Sequence, residues 1–258
     1  MKRPVIDAHI HLDMYEENSR NKILSSLFKN KIAALITVSS DYRSALRNLQ
    51  LQKNHRKIKT AIGYHPEQPL PSKKELDQIL KLARENKEGI TAIGEVGLPY
   101  YLRKKDEHVE LDDYIKVLAA FIQTAKHLNK PIVLHAIYED ADIVLDLLKN
   151  YSIEKAHFHW FKGSDNTLEQ IKRTGFYISI TPDCLYEKEI QHIISTFPIE
   201  LMMVETDGPW PFKGKFKDEL THPRMIHDSV KMISEIKSIK LDKVYDILLE
   251  NTKKFYQC

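Results

Sequence analysis

Eight short, apolar, strand-like segments alternate with helix-patterned ones along the chain. This alternation limits the possible folds more than any single motif does. The first strand is carried by Val5, Ile6 and Ile10. The others are expected at residues 32–39, 58–63, 90–95, 131–135, 156–159, 176–180 and 201–206. Helical spacing predicts a helix over residues 16–29, with Ile23, Leu24, Leu27 and Phe28 in register. Another is capped by Asp41, with Tyr42, Ala45, Leu46 and Leu49 on one side. Further helices are expected at 72–86, 111–128, 139–149, 166–174, 187–196, 223–236 and 241–256, and a longer connection at 96–110. Alternation of this kind implies parallel βα units. Eight units in 258 residues predict a closed (β/α)8 TIM barrel, a single domain over residues 1–258. No Gly-x-Gly-x-x-Gly follows the first strand, which argues against an open dinucleotide-binding sheet.

The net charge of +3 arises from 39 basic and 36 acidic residues, so no dedicated polyanion-binding tail is implied, though an anionic substrate is tolerated. Cys184 and Cys258 have neither metal nor redox spacing and are expected as free thiols in a reducing cytosol. No apolar run is long enough for a membrane span, and the first strand starts too close to Met1 to leave room for a signal peptide. A cytoplasmic protein with no membrane contact and no obligate protein partner is therefore expected.

His9 and His11 lie two residues apart on the first strand, and side chains at that spacing share a face. Two imidazoles so placed can hold one metal ion, or they can be core histidines satisfied by hydrogen bonds. The other strand ends decide between these readings. His65 follows strand three, Glu95 ends strand four, His135 strand five and His159 strand six, and Asp207 follows strand eight. A barrel brings all these ends to the one face where barrel active sites lie. Four histidines (His9, His11, His135 and His159) and two carboxylates (Glu95 and Asp207) are too many ligands for one tetrahedral ion. They suit two metals about 3.5–4 Å apart, bridged by a carboxylate. Imidazole suits zinc, nickel and iron, and carboxylates also admit manganese and magnesium.

Seven motifs in order carry a family resemblance: Asp7-Ala8-His9-Ile10-His11-Leu12, Gly63-Tyr64-His65-Pro66, Ile93-Gly94-Glu95-Val96-Gly97-Leu98, Pro131-Ile132-Val133-Leu134-His135, His159-Trp160-Phe161, Glu205-Thr206-Asp207-Gly208-Pro209 and Asn251-Thr252. With these the chain resembles the TatD-type metal-dependent hydrolases of the amidohydrolase superfamily. The resemblance implies that His9, His11 and Asp207 hold one metal, His135 and His159 hold the other, and Glu95 bridges them. It also implies that His65 faces the substrate and that the activity is hydrolysis of DNA phosphodiesters. The chain departs from the family where substrate would touch. Pro99 stands where Asp is usual, Ile137 where many members have Arg, and Trp160 where a small residue is usual.

The expected catalyst is a hydrolase in which two divalent ions lower the pKa of a water and Asp207 accepts its proton, with Glu95 and His65 completing the catalytic set. The expected substrate is DNA, as a single strand or a DNA end. A small-molecule amide, lactone or phosphoester hydrolase on the same site is the first alternative, and a non-catalytic metal-binding protein the second. Of the remaining residues, Asp7 is expected to orient a ligand imidazole, His157 to be a hydrogen-bonded core residue and His222 to start a helix. His55, His108, His127, His192 and His227 are expected to be solvated. Arg103 to Lys105 and Lys213, Lys215 and Lys217 either meet phosphates or form ordinary surface. Tyr100, Tyr101 and Trp160 either stack on bases or pack loops.

Overall fold

A computed structural model describes residues 2–258. Eight parallel strands run in sequence order: β1 Val5–Ile10, β2 Ile32–Thr37, β3 Ile58–Ile62, β4 Ala92–Gly97, β5 Ile132–His135, β6 Ala156–Phe158, β7 Tyr177–Ile180 and β8 Met202–Val204. Among the described residues, ten α-helices accompany them: α1 Glu17–Ser26, α2 Tyr42–Asn54, α3 Lys73–Glu85, α4 Tyr100–Lys105, α5 Leu111–Leu128, α6 Glu139–Asn150, α7 Asp165–Thr174, α8 Lys188–Thr196, α9 Ile226–Lys237 and α10 Leu241–Tyr256. The architecture is the expected (β/α)8 barrel in a single domain. No helix among the described residues is long and apolar enough to cross a membrane.

Local chemistry explains most boundaries. Asp41, Ser72 and Ser164 each accept a backbone N–H in the first turn of the following helix. Asn129 and Gly175 end α5 and α7 in the left-handed conformation. The connection at 96–110 is more ordered than expected, since it contains α4. On α2 the inward face is polar: Ser44 and Asn48 are buried with Ala45, while Leu46 is 43% exposed. Asn48 accepts from the Thr37 hydroxyl and donates to the Val38 carbonyl, which explains the choice of a polar side chain there. His227 is a second departure. It is buried, with Nδ1 2.7 Å from the Tyr245 hydroxyl and Nε2 2.6 Å from the Asn30 carbonyl, so it ties α9 to α10 and to the end of the first βα unit.

The barrel interior has a dry lower layer. Ile6, Ala8, Ala34, Ile36, Ala61, Ala92, Val133, Tyr177 and Met203 form one cluster. His157 completes it from β6, placed between the Tyr256 hydroxyl (2.8 Å) and the Ser179 hydroxyl (2.6 Å), the hydrogen-bonded core role expected of it. Phe255 and Tyr256, at the end of α10, close the bottom, with Tyr256 donating to the Ala8 carbonyl.

Strict alternation upward from this layer would turn the histidines of β1 and Glu95 of β4 away from the interior. Two irregularities prevent that. Asp7 pairs with Leu35 and Ile10 with Thr37, so β1 takes three steps while β2 takes two. Ile93 pairs with Ile132 and Val96 with Leu134, so β4 likewise takes three steps against two of β5. Each extra residue acts as a bulge and re-aims a side chain. The β4 bulge depends on glycine, because a Cβ at Gly94 would lie 2.6 Å from Cβ of Val133, and one at Gly63 would collide with the Glu95 backbone.

β1 and β8 meet through a side chain as well as through backbone. Asp7 accepts from the Thr206 N–H (2.9 Å) and hydroxyl (2.6 Å), while Asp207 N–H donates to His9 O and His11 N–H to Gly208 O. Asp7 thus closes the barrel instead of orienting an imidazole. Burial pushes its pKa up to about 8, against the pull of the Thr206 donors. Asp7→Ala leaves two buried donors without partners, and each such loss costs about 1–3 kcal/mol. Urea denaturation should show a loss of about 2–6 kcal/mol for this variant. An unchanged midpoint would mean that the seam contributes nothing to stability.

Candidate metal centre

Glu95 is fully buried, and five imidazoles surround its carboxylate. Its two oxygens face different neighbours. Oε2 lies 3.1 Å from Nε2 of His9 and 3.1 Å from Nε2 of His11. The same two nitrogens lie 3.3 and 3.4 Å from Oδ1 of Asp207. Oε1 lies 3.1 Å from Nδ1 of His135 and 2.8 Å from Nε2 of His159. The two groups touch where the rings of His9 and His159 stack at 3.9 Å.

The outer nitrogens fix the inner lone pairs. His135 Nε2 is 3.2 Å from Oε1 of Glu67, which directs a proton to that nitrogen and a lone pair inward from Nδ1. His159 Nδ1 faces Oε1 of Glu205 at 3.4 Å, which favours an inward lone pair on Nε2. The inward nitrogens of His135 and His159 are only 3.3 Å apart. Nitrogens this close to carboxylate oxygens need either protons or a cation between them. Both Glu95 oxygens, Oδ1 of Asp207 and both nitrogens of His9 have no hydrogen-bond partner. This donor set fits divalent ions. Carboxylates that back ligand histidines are common supports of metal sites.

The electrostatics agree. Burial opposes ionisation of Glu95, yet the imidazoles, His65 and His159 foremost, hold its pKa well below the usual carboxylate range. Burial also opposes charge on Asp207, and the neighbouring His11 and His9 imidazoles, 3.4 and 3.3 Å away, drive its pKa down as well. Burial disfavours protonation of His11, but Asp207 and Glu95 push its pKa up to about 10. Two buried carboxylates thus demand positive charge beside them, from protons or from metal.

His65 differs from the other histidines. Its Nδ1 accepts the Glu67 N–H at 3.1 Å, so a neutral ring carries its proton on Nε2, 3.4 Å from Oε1 of Glu95. Burial lowers its pKa to about 4, which keeps it neutral at pH 7. His65, Glu95 and His135 are close enough together to form a ligand group. The Glu67 hydrogen bond nevertheless favours His65 as a donor over a metal ligand, because it consumes the ring's one lone pair.

All six ligand-type residues expected from the sequence meet here, and His65 stands at their edge. Two carboxylates were missed. Glu67 accepts the Tyr101 and Leu102 N–H groups at 2.8 and 2.6 Å, anchoring the start of α4 beside His135. Glu205 accepts the Trp160 N–H (2.8 Å) and the Ser179 hydroxyl (2.5 Å) beneath His159. Each lies two residues from a site residue, His65 and Asp207 respectively, and that spacing was the available signal.

A cavity of about 580 Å³ opens over the centre. Ile137 and Trp160 form part of its wall, as do Leu102 and Met14. Trp160 donates its indole N–H to Asp183 at 2.6 Å, which fixes it as wall and not as a mobile stacking ring. Tyr100 packs between Tyr101 and Tyr138. Trp210, which sequence reading did not single out, is 53% exposed at the cavity rim. Lys215 pairs with Asp228, and Lys213, Lys215 and Lys217 do not line the cavity.

The family model described as TatD related DNase matches residues 6–257. The chain is 33% identical over 254 residues to an uncharacterised metal-dependent hydrolase of Haemophilus influenzae, spanning 98% of this chain and 99% of that protein. It is 26% identical over 261 residues to a human protein named deoxyribonuclease TATDN3, spanning 98% of this chain and 94% of the relative. A crystal structure of a TatD homologue from Escherichia coli superposes with a TM-score of 0.88 at 21% identity, over 98% of both chains, and so shares the fold.

Glu67→Ala should test the support of His135. It removes the partner of Nε2 and frees α4, while the barrel core is untouched. Metal affinity, read by titration with a competing chelator, should fall about 10- to 100-fold with unchanged circular dichroism. Wild-type affinity would exclude this supporting role.

Proposed function

The chain belongs to the TatD-related DNase family of metal-dependent hydrolases, and we propose that it cleaves DNA phosphodiesters using two divalent ions at this centre. The observation that carries the reading is the division of Glu95, whose two oxygens face separate sets of histidines. In this reading His9, His11 and Asp207 hold one ion, His135 and His159 hold the other, and Glu95 joins them. The mixed nitrogen and oxygen donors suit zinc, manganese, magnesium, nickel or iron. When bound, such ions supply an activated water near neutral pH and positive charge against the reacting oxygens.

The chain's own groups then have distinct tasks. Asp207, held as a carboxylate, accepts the proton of the attacking water. His65 offers Nε2–H to an oxygen that gains charge in the reaction. Glu67 and Glu205 keep the rings of His135 and His159 aimed inward. Tyr101 and Trp210, 45% and 53% exposed at the cavity mouth, offer rings on which unpaired bases stack. Bases within a duplex are already stacked on each other, so these rings favour a single strand or a DNA end.

A specific observation favours a second reading, a small-molecule phosphoester, amide or lactone hydrolase. The cavity volume falls in the range of small-ligand sites, about 300–1,000 Å³, and Ile137 with Trp160 lines it where a phosphate-binding Arg would otherwise stand.

One experiment separates the readings. Chelator-treated protein is reloaded with each metal, its ion content is measured, and turnover is compared on single-stranded DNA, duplex DNA, phosphoesters, lactones and amides. The expected result is two ions per chain and fastest turnover on single strands. Glu95→Gln should lose more than about 100-fold in turnover and bind fewer ions, beyond the usual effect of changing a supporting residue. Ile137→Arg should raise the efficiency of DNA cleavage. Efficient lactone or ester turnover, with negligible DNA cleavage by wild type and Ile137→Arg alike, would select the second reading.

A further inference from the structure

Any anionic substrate entering this cavity approaches two buried carboxylates, so the chain needs cations of its own on the substrate side. Most candidates are committed elsewhere. Arg103 pairs with the buried Asp140 at 2.6 Å, Lys104 with Glu139 at 3.2 Å and Lys215 with Asp228. Among the described residues, Lys105 and Lys162 are the cations that line the cavity. Lys105 is exposed at the end of α4.

Lys162 is placed differently. Only 19% of its side chain is exposed. Its ammonium lies 5.3 Å from the centroid of the Trp160 ring and 3.8 Å from Oδ2 of Asp183. That separation from Asp183 is too long for a hydrogen bond. Asp183 is in any case occupied, by the Trp160 indole N–H on Oδ2 and by the Thr181 hydroxyl on Oδ1. The Lys162 carbonyl accepts the Tyr138 N–H at 2.7 Å, which clamps the loop after β6 against the loop after β5 beside Ile137. A largely covered lysine thus keeps a counter-charge 3.8 Å from its ammonium and leaves that ammonium without a hydrogen-bond partner, on the wall that lacks a guanidinium at position 137.

We infer that Lys162 receives the anionic group of the substrate and makes the cavity selective for phosphate esters over neutral ones. The inference rests on the phosphodiesterase reading for the identity of that group. Asp183 and Trp160 hold the ammonium in place, and the phosphate completes its hydrogen bonds. This supplies from the loop after β6 the contact that Ile137 cannot make.

The test uses full-length, metal-loaded wild type, Lys162→Met and Lys162→Arg, each checked for an unchanged thermal melt. Thymidine 5′-monophosphate and thymidine are titrated by calorimetry, and kinetics are measured on a short single-stranded DNA and on p-nitrophenyl acetate. A lost charge-assisted hydrogen bond corresponds to about 10- to 100-fold. Lys162→Met should lose this factor in affinity for the monophosphate and gain it in KM for DNA, with kcat within a few-fold. Thymidine binding and acetate hydrolysis should not change, and Lys162→Arg should retain most of the monophosphate affinity. Equal losses for charged and uncharged ligands would reveal a merely structural lysine and overturn the inference. Wild-type monophosphate affinity in Lys162→Met, or no binding of the monophosphate by wild type, would overturn it too. If wild type binds the monophosphate through Lys162 but cleaves no DNA, the phosphodiesterase reading fails while the anion site stands.

Discussion

A fully buried carboxylate needs positive charge around it, and Glu95 is the point at which this requirement shapes the molecule. Five of the eight strands send side chains toward it or end beside it: β1 with His9 and His11, β3 with His65, β4 with Glu95 itself, β5 with His135 and β6 with His159. Asp207, just after β8, adds a second negative charge against the same two β1 imidazoles. Neutral histidines alone leave this buried arrangement anionic. A cation among the inward lone pairs would balance this charge.

The remainder of the barrel keeps that cluster from collapsing onto itself. Bulges in β1 and β4 deliver His9, His11 and Glu95 to the interior. The lower layer is closed by Phe255 and Tyr256, so the cluster sits on an apolar floor. Asp7 holds the β1–β8 seam to which Asp207 is attached. Glu67 hydrogen-bonds the outer nitrogen of His135 and Glu205 faces the outer nitrogen of His159 at 3.4 Å, so both carboxylates favour lone pairs directed inward. Rigid support of this kind is what lets ligand positions survive in loops beyond the strand ends.

Above the centre the chemistry changes from charged to mixed. Ile137, Leu102 and Trp160 give the cavity an apolar side, while His65 and Lys162 supply donors. An apolar wall excludes water and strengthens each polar contact made inside it. A phosphate in this space meets cation and donor on one side, and its base reaches the rings at the mouth. Ile137, Trp160 and Lys162 line the same cavity, so the wall at position 137 is apolar while a cation stands beside it.

The barrel was legible in the sequence because eight apolar segments alternated with helical ones. The clustering of His9, His11, Glu95, His135, His159 and Asp207 was legible because all fell at strand ends, which a parallel barrel gathers at one face. What pattern could not decide was orientation and partnership. Alternation gave no reason for an extra residue in β1 or β4, since a bulge is defined by its pairing with the neighbouring strand and not by its own composition. Asp7, expected behind an imidazole, closes the barrel because Thr206, 199 positions away, lies across the seam. Glu67 and Glu205 gained their roles only once His135 and His159 were brought beside them, and Lys162 stood out from the other lysines only when Arg103, Lys104 and Lys215 were seen to be paired. Residue types and their spacing along the chain set which chemistry was possible. Contacts between residues far apart in sequence decided which nitrogen faces inward, which carboxylate is structural and which cation lines the cavity, because hydrogen bonds and ion pairs depend on distance in space.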